Sequence, residues 1–140
     1  MSEEEKIQAL VSQMKMYESY FNDILTRENT VTRMMEEGGL AIEAIKNISG
    51  QDTVHTLMPI GTGIYLQASA SPKNKLIINI GAGVATEKSR DDTVAYVESR
   101  MKEMEVALRS VMAQKQDIAT RMEQTRNEVN TILKKAQKPS

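Results

Sequence analysis

The sequence is poor in the residues that build large compact cores. Its 140 residues include no cysteine and no tryptophan, and only 4% are aromatic, with a single phenylalanine. The absence of cysteine excludes a disulfide scaffold and a thiolate metal site. Because large aromatic side chains are so few, a large compact core is not expected and an elongated molecule is favoured.

An excess of charge of one sign and a long apolar run are also absent. The chain has 18 basic and 19 acidic residues, a formal net charge of -1, and both signs are interleaved. This balance predicts neither a nucleic-acid partner nor a membrane-surface patch. No apolar stretch approaches about 18 residues, so no span of a bilayer is expected. The first residues, MSEEEKIQ, are too acidic and too polar for a secretory signal, which predicts a cytoplasmic protein.

The stretch INIGAGVATEK resembles a phosphate-binding loop only superficially. A dinucleotide fingerprint needs a third glycine and a helix that opens directly from the loop, but Thr86 occupies the third position and the residues after Gly83 read as a strand. A G-x-x-x-x-G-K-[ST] run is also absent. The glycines are therefore interpreted as turn residues between extended segments, and no cofactor is expected.

An enzyme is not expected either. His55 is the only histidine, and it has neither a second metal ligand nor a nucleophile beside it in the sequence. Acid–base pairs, metal clusters and nucleophile constellations are not apparent, so we predict no catalytic residues and no metal site.

Two long stripes of apolar residues, three and four positions apart, flank the centre of the chain. Only Glu28 and Gly38 interrupt the first stripe, and only Lys115 and Thr125 the second. Such spacing is typical of heptad repeats in coiled-coil helices. The first stripe comprises Ile7, Leu10, Met14, Tyr17, Phe21, Ile24, Val31, Met35, Ile42 and Ile45, and the second comprises Val94, Val97, Met101, Met104, Leu108, Val111, Ile118, Met122, Val129, Ile132 and Ala136.

Capping residues indicate where the two helices begin and end. Ser2 and Ser89 are each followed three residues later by a carboxylate, as in N-terminal caps, and Gly50 suits a C-terminal cap. Helices of similar length predict an antiparallel coiled coil that carries both termini together at the end far from the centre of the chain. In this arrangement Glu28 and Lys115 lie at the same height. We expect one domain overall, with helices in residues 1–50 and 89–140 and a connecting segment in residues 51–88.

The connecting segment has the pattern of β-structure. Residues 64–70 alternate apolar and polar side chains, and residues 76–80 are almost entirely apolar. We expect the turn sequence Ser71-Pro72-Lys73-Asn74 to join them as a hairpin. Because an isolated apolar hairpin is marginal in water, other subunits should cover it. We call residues 51–88 the hub, and predict that its oligomerisation surface comprises Ile64, Leu66, Leu76, Ile78, Ile80, Gly81, Gly83 and Val84.

Residues 57–89, LMPIGTGIYLQASASPKNKLIINIGAGVATEKS, resemble the centre of the alpha-class subunits of prefoldin, an archaeal and eukaryotic co-chaperone. The resemblance rests on a proline, a G-x-G, two strands and a G-A-G-V followed by E-K-S. It implies an α+β fold in which a long antiparallel two-helix coiled coil carries a pair of β-hairpins. It also implies that the hairpins assemble into a β-barrel hub in a hexamer of two alpha and four beta subunits.

The resemblance further implies a function without ATP. Prefoldins hold unfolded client proteins at the ends of their coiled coils and deliver them to a group II chaperonin. The corresponding positions form what we call the tip: Ile7, Leu10, Val11, Met14, Val129, Ile132, Leu133 and Ala136. Val11 and Leu133 lie one position off the stripes, and two interpretations stay open for them, a widened core or apolar surface for clients.

The sequence departs from the prefoldin pattern at one point and leaves one alternative function open. Gly38-Gly39 lies inside the first predicted helix, where each glycine costs about 1 kcal/mol, so local bending or fraying is expected there. The alternative to a holdase is a structural coiled-coil adaptor that scaffolds a complex around one folded partner. Suppression of aggregation of several unrelated denatured proteins without nucleotide would distinguish the two functions.

Overall fold

A computed structural model of the chain describes residues 2–73 and 75–137. Helix α1 spans Glu3–Ile48 and helix α2 spans Arg90–Gln137. Between them lie four strands, β1 (Val54–Gly61), β2 (Ile64–Ala70), β3 (Leu76–Gly81) and β4 (Val84–Lys88), which form two separate antiparallel hairpins. The predicted α+β class, with two long helices and a pair of hairpins, is confirmed.

Both helices begin at the predicted caps. Before α1, the Glu5 amide donates to Ser2 Oγ at 3.2 Å and the Ser2 amide donates to Glu5 Oε2 at 3.3 Å, which completes a reciprocal capping box. Before α2, the Asp92 amide donates to Ser89 Oγ at 3.1 Å. At the other end of α1, Gly50 has a φ of 83°, the left-handed conformation that glycine adopts at helix C-termini.

The chain divides into two compact units, and each is described by itself. The first contains residues 2–34 and 104–137, and the second contains residues 35–103. In the first unit the core is one thin layer, in which Ile24 and Val111 are the most buried apolar side chains. The positions of both predicted stripes are buried or half-buried there, except for Ala136, while most of the residues between them are exposed. The heptad pattern is therefore confirmed.

Thr125, one of the two residues that interrupt the second stripe, is also buried. Its hydroxyl donates to the carbonyl oxygen of Arg121, one helical turn earlier, at 2.8 Å. Because this bond satisfies the hydroxyl within the helix itself, the side chain occupies a core position without an unpaired polar group.

The pairing of the strands differs from the sequence-based prediction. β2 does not pair with β3 through the Ser71 turn; instead β1 pairs with β2, and β3 pairs with β4. Thr62 and Gly63 link the first pair with φ of 47° and 79°, and Ala82 and Gly83 link the second with φ of 52° and 75°. Two consecutive positive φ angles are the signature of the two-residue turns whose twist matches paired strands. The predicted 71–74 turn therefore connects the hairpins, and its last residue, Asn74, lies outside the described residues.

Gly38 and Gly39 leave α1 unbroken, because the helix runs through both. A Cβ atom on Gly38 would lie 3.0 Å from Cγ and 3.1 Å from Sδ of Met101 on α2. Gly38 therefore makes room for a methionine side chain within the second unit. A Cβ atom on Gly39 would have no other atom within 4 Å.

Candidate functional site

The tip lies entirely in the first compact unit, where the first and last turns of the two helices pair. Five of its predicted residues are half-buried in the seam between the helices: Ile7, Leu10, Met14, Val129 and Ile132. The other three, Val11, Leu133 and Ala136, are exposed, and Val11 and Leu133 each keep 42% of their surface in water. The arrangement offers apolar surface that the chain itself does not cover.

Val11 and Leu133 follow the seam residues Leu10 and Ile132, one on each helix. In an antiparallel pair, positions that directly follow corresponding seam residues lie on the same side of the coiled coil. The two exposed side chains therefore form one apolar edge rather than two isolated contacts. Exposure on both helices argues against the interpretation of these residues as a widened core.

Charges of both signs surround this apolar edge. Glu3, Glu4 and Glu5 occupy the first turn of α1, and Lys134 and Lys135 the last turn of α2. Acidic groups at a helix N-terminus and basic groups at a C-terminus each stabilise a helix by about 0.3–1 kcal/mol. These charges thus strengthen the helix ends and keep the surroundings of the edge polar.

A group of polar side chains lies next to the tip, on the side of the middle of the two helices. Gln13 Nε2 donates to the Tyr17 hydroxyl at 3.0 Å, and Arg121 Nε donates to Asp117 Oδ2 at 3.1 Å. All four residues line one cavity between the helices. Hydrogen bonding to Tyr17, together with the nearby Asp117 carboxylate, raises the pKa of Arg121. The cavity is polar and therefore suits an apolar client segment less well than the edge at Val11 and Leu133.

The predicted pair of Glu28 and Lys115 is present in the seam. Lys115 Nζ lies 3.0 Å from Glu28 Oε2 and donates a longer hydrogen bond of 3.4 Å to Oε1. Oε2 is fully buried and has no hydrogen bond of good geometry, so the short contact is mainly an ion pair. The Glu28 and Lys115 side chains are 25% and 37% exposed, respectively. The contact confirms the predicted antiparallel register.

The hub presents far more exposed apolar surface than any other part of the described chain. Of the predicted hub residues, Ile64, Leu66, Ile80 and Val84 are exposed, and Leu76 and Ile78 are half-buried. Gly81 and Gly83 have φ of 102° and 75° and shape the second hairpin's turn. Further exposed hydrophobic residues, which the sequence analysis did not include, are Leu57, Met58, Ile60, Tyr65 and Ile77.

The two faces of the second hairpin differ in exposure. Leu76, Ile78, Thr86 and Lys88 share one face and are half-buried, whereas Ile77 on the opposite face is 73% exposed. The Lys88 ammonium lies 5.7 Å from the centre of the Tyr96 ring on α2, a cation–π distance that ties this face to the helix. The free face is therefore the one that carries Ile77.

The sequence pattern did not predict strand β1, because proline and threonine interrupt the alternation of apolar and polar residues. Its sequence VHTLMPIG contains Pro59 and only partial alternation. A signal was nevertheless available, since valine and threonine favour extended backbone and the run ends at a G-x-G turn.

Among residues 2–73 and 75–137, His, Asp and Glu side chains form no group of three that could hold a metal ion. No helix in that part of the chain is long and apolar enough to cross a membrane.

Comparison with known proteins supplies the family. A family model described as "Prefoldin subunit" matches residues 4–135. The chain is 42% identical to prefoldin subunit alpha of Nitrosopumilus maritimus over 96% of its own length and 92% of that protein. It is 27% identical to prefoldin subunit alpha of Methanospirillum hungatei over 80% of its own length and 85% of that protein.

A solved structure has the same fold. The prefoldin beta subunit from Thermococcus strain KS-1 superposes with a TM-score of 0.64 at 16% identity, over 96% of this chain and 95% of that one. At this identity the likeness concerns the fold alone. The family match over nearly the whole length, together with the identity to alpha subunits, establishes that this chain belongs to the prefoldin family as an alpha-class subunit.

Proposed function

We propose that the chain is a subunit of an ATP-independent holdase that binds unfolded proteins at its tip. Membership of the prefoldin family gives the chain a chaperone-type function. The observation that carries the finer proposal is the exposed apolar edge of Val11 and Leu133 beside the half-buried seam. Unfolded chains expose apolar segments, and such an edge can bind them without a specific sequence.

The proposed assembly contains two alpha and four beta subunits joined through a β-barrel hub. Support comes from the uncovered apolar residues of both hairpins, since an isolated two-stranded hairpin is marginal in water. Several tips on one body would bind a client with higher affinity than any single tip, because tethering raises their effective concentration. The hexamer would act in the cytoplasm and deliver clients to a group II chaperonin. In the same proposal the hub is residues 51–88, and the coiled-coil helices are residues 1–50 and 89–140.

The test replaces the two edge residues without disturbing the seam. Val11→Ser combined with Leu133→Ser should leave folding intact, because both side chains are already exposed. Each removes about 1 kcal/mol of apolar contact per tip, which corresponds to about fivefold in affinity per side chain. The hexamer is reconstituted with the beta subunit, and suppression of aggregation of several unrelated denatured proteins is followed by light scattering without nucleotide.

Leu40→Ser is the matched control, since Leu40 is an exposed apolar residue on the same helix but outside the tip. We expect the edge variant to lose most of its activity against every client, and the control to keep it. Full activity of the edge variant would refute client binding at this tip. Activity of the parent hexamer toward only one folded partner would instead favour the structural adaptor.

A further inference from the structure

Gly39 has no structural reason to be glycine in the folded chain. Its φ is not positive, since among residues 2–73 and 75–137 positive φ occurs at Gly50 and in and beside the two hairpin turns. A Cβ atom would meet nothing within 4 Å, so no neighbour needs the space. Alanine would fit this position and would favour the helix by about fivefold in equilibrium constant.

The neighbouring residue has the opposite explanation. Gly38 makes room for Met101, whose Cγ and Sδ lie 3.0 and 3.1 Å from the point that a Cβ atom on residue 38 would occupy. The backbone of α1 at this point therefore rests directly on a flexible, unbranched side chain, which can shift more easily than a branched one. Met104, the next seam residue of α2, has the same character.

The position of the glycine pair along the chain is a second observation. The division between the two compact units falls between residues 34 and 35 in α1 and between residues 103 and 104 in α2. Gly38 and Gly39 lie within five residues of the first of these points. Two adjacent glycines weaken the helix where the compact units meet in the sequence, and sharp bends in helices concentrate at such positions.

We infer that Gly38-Gly39 is a bending point of α1, with Met101 as its deformable support, that allows the tip to adapt to clients of different size. The use of the bend rests on the proposed holdase function, but the bend itself does not. Local opening of the helix at this point would transiently expose the amides that follow the glycines, whose hydrogen bonds span it.

The first experiment measures amide hydrogen exchange in the reconstituted hexamer. Gly39→Ala should slow exchange of the amides of residues 40–43 about fivefold, because alanine disfavours the opened helix. Ser12→Ala is the matched control, an exposed helix position in α1 that also gains helix propensity, and it should leave exchange at residues 40–43 unchanged. Equal exchange in Gly39→Ala and the parent protein would overturn the inference.

The second experiment tests what the bend does. A hexamer that carries Gly39→Ala should hold a small denatured client as well as the parent hexamer does. It should hold a denatured client several times larger at least twofold less well than the parent. Equal activity toward both clients, or an equal loss for both, would overturn the adaptive role. A parent hexamer that protects neither client would instead refute the holdase proposal, while the exchange result would still decide whether α1 bends at Gly39.

Discussion

Removal of the ion pair between Glu28 and Lys115 tests the energetics of the coiled coil most directly. At 3.0 Å and an effective dielectric constant of about 20, the Coulomb attraction is about 5.5 kcal/mol before any cost of desolvation. Both side chains keep part of their surface in water, so desolvation and solvent screening offset most of this attraction. Exposed pairs contribute about 0.2–1 kcal/mol, whereas breaking a buried pair costs about 3–5 kcal/mol. We therefore expect a coupling free energy of about 1–2 kcal/mol.

The assay is a double-mutant cycle with Glu28→Leu and Lys115→Leu. Unfolding of the assembly in urea is followed by circular dichroism of the helices. Each single variant should be less stable than the parent protein, because it leaves one partly buried charge without its partner. The double variant should regain the loss, and can exceed the parent in stability, because two leucines at one seam layer pack against each other.

Asp52 and Lys73 provide the matched control. Their 2.8 Å contact is shorter than that of Glu28 and Lys115, but both side chains are largely exposed. If burial decides the energy, the same cycle with leucine at positions 52 and 73 should give a coupling below about 0.5 kcal/mol. Strict additivity of Glu28→Leu and Lys115→Leu would refute the reasoning, and so would equal coupling in the two pairs.

Two other predictions follow from the hub and from the helix caps. Ile64→Asp should dissociate the assembly, because a charge would be buried at the proposed interface, and should leave the helix content unchanged, because Ile64 is exposed in the single chain. Gln67→Asp on the same strand is the control, and an Ile64→Asp variant that sediments at the size of the parent assembly would contradict the proposed hub. Ser89→Ala should lower the free energy of unfolding by about 1 kcal/mol. Ser2→Ala should lower it less, because the first turn of α1 can open locally without unfolding the rest of the coiled coil; equal losses in thermal unfolding would contradict this difference.

The helices were predictable because their signals are local and periodic. A seam with a repeat of three and four fixes which face of each helix is buried, whatever the rest of the chain does. The two charged interruptions then fixed the register, since Glu28 and Lys115 are at the same height only in one antiparallel alignment. The contact between them could therefore be predicted by counting residues along two helices of nearly equal length, 46 and 48 residues.

The strand pairing was not predictable from apolar pattern alone. Ser71-Pro72-Lys73-Asn74 has the composition of a turn, but composition does not give the two consecutive positive φ angles that a tight hairpin needs. Thr62-Gly63 and Ala82-Gly83 supply those angles, although threonine and alanine rarely adopt them. The packing role of Gly38 could not be predicted for a different reason, because the methionine that lies against it is 63 positions away in the sequence.

The distribution of charged residues explains why the two apolar regions of the chain have different fates in the proposed assembly. β1 and β2 contain no Asp, Glu, Lys or Arg, so burial of the first hairpin desolvates no formally charged carboxylate, ammonium or guanidinium. The tip, by contrast, is bordered by acidic and basic residues that would be costly to bury permanently, which suits a surface that binds and releases clients.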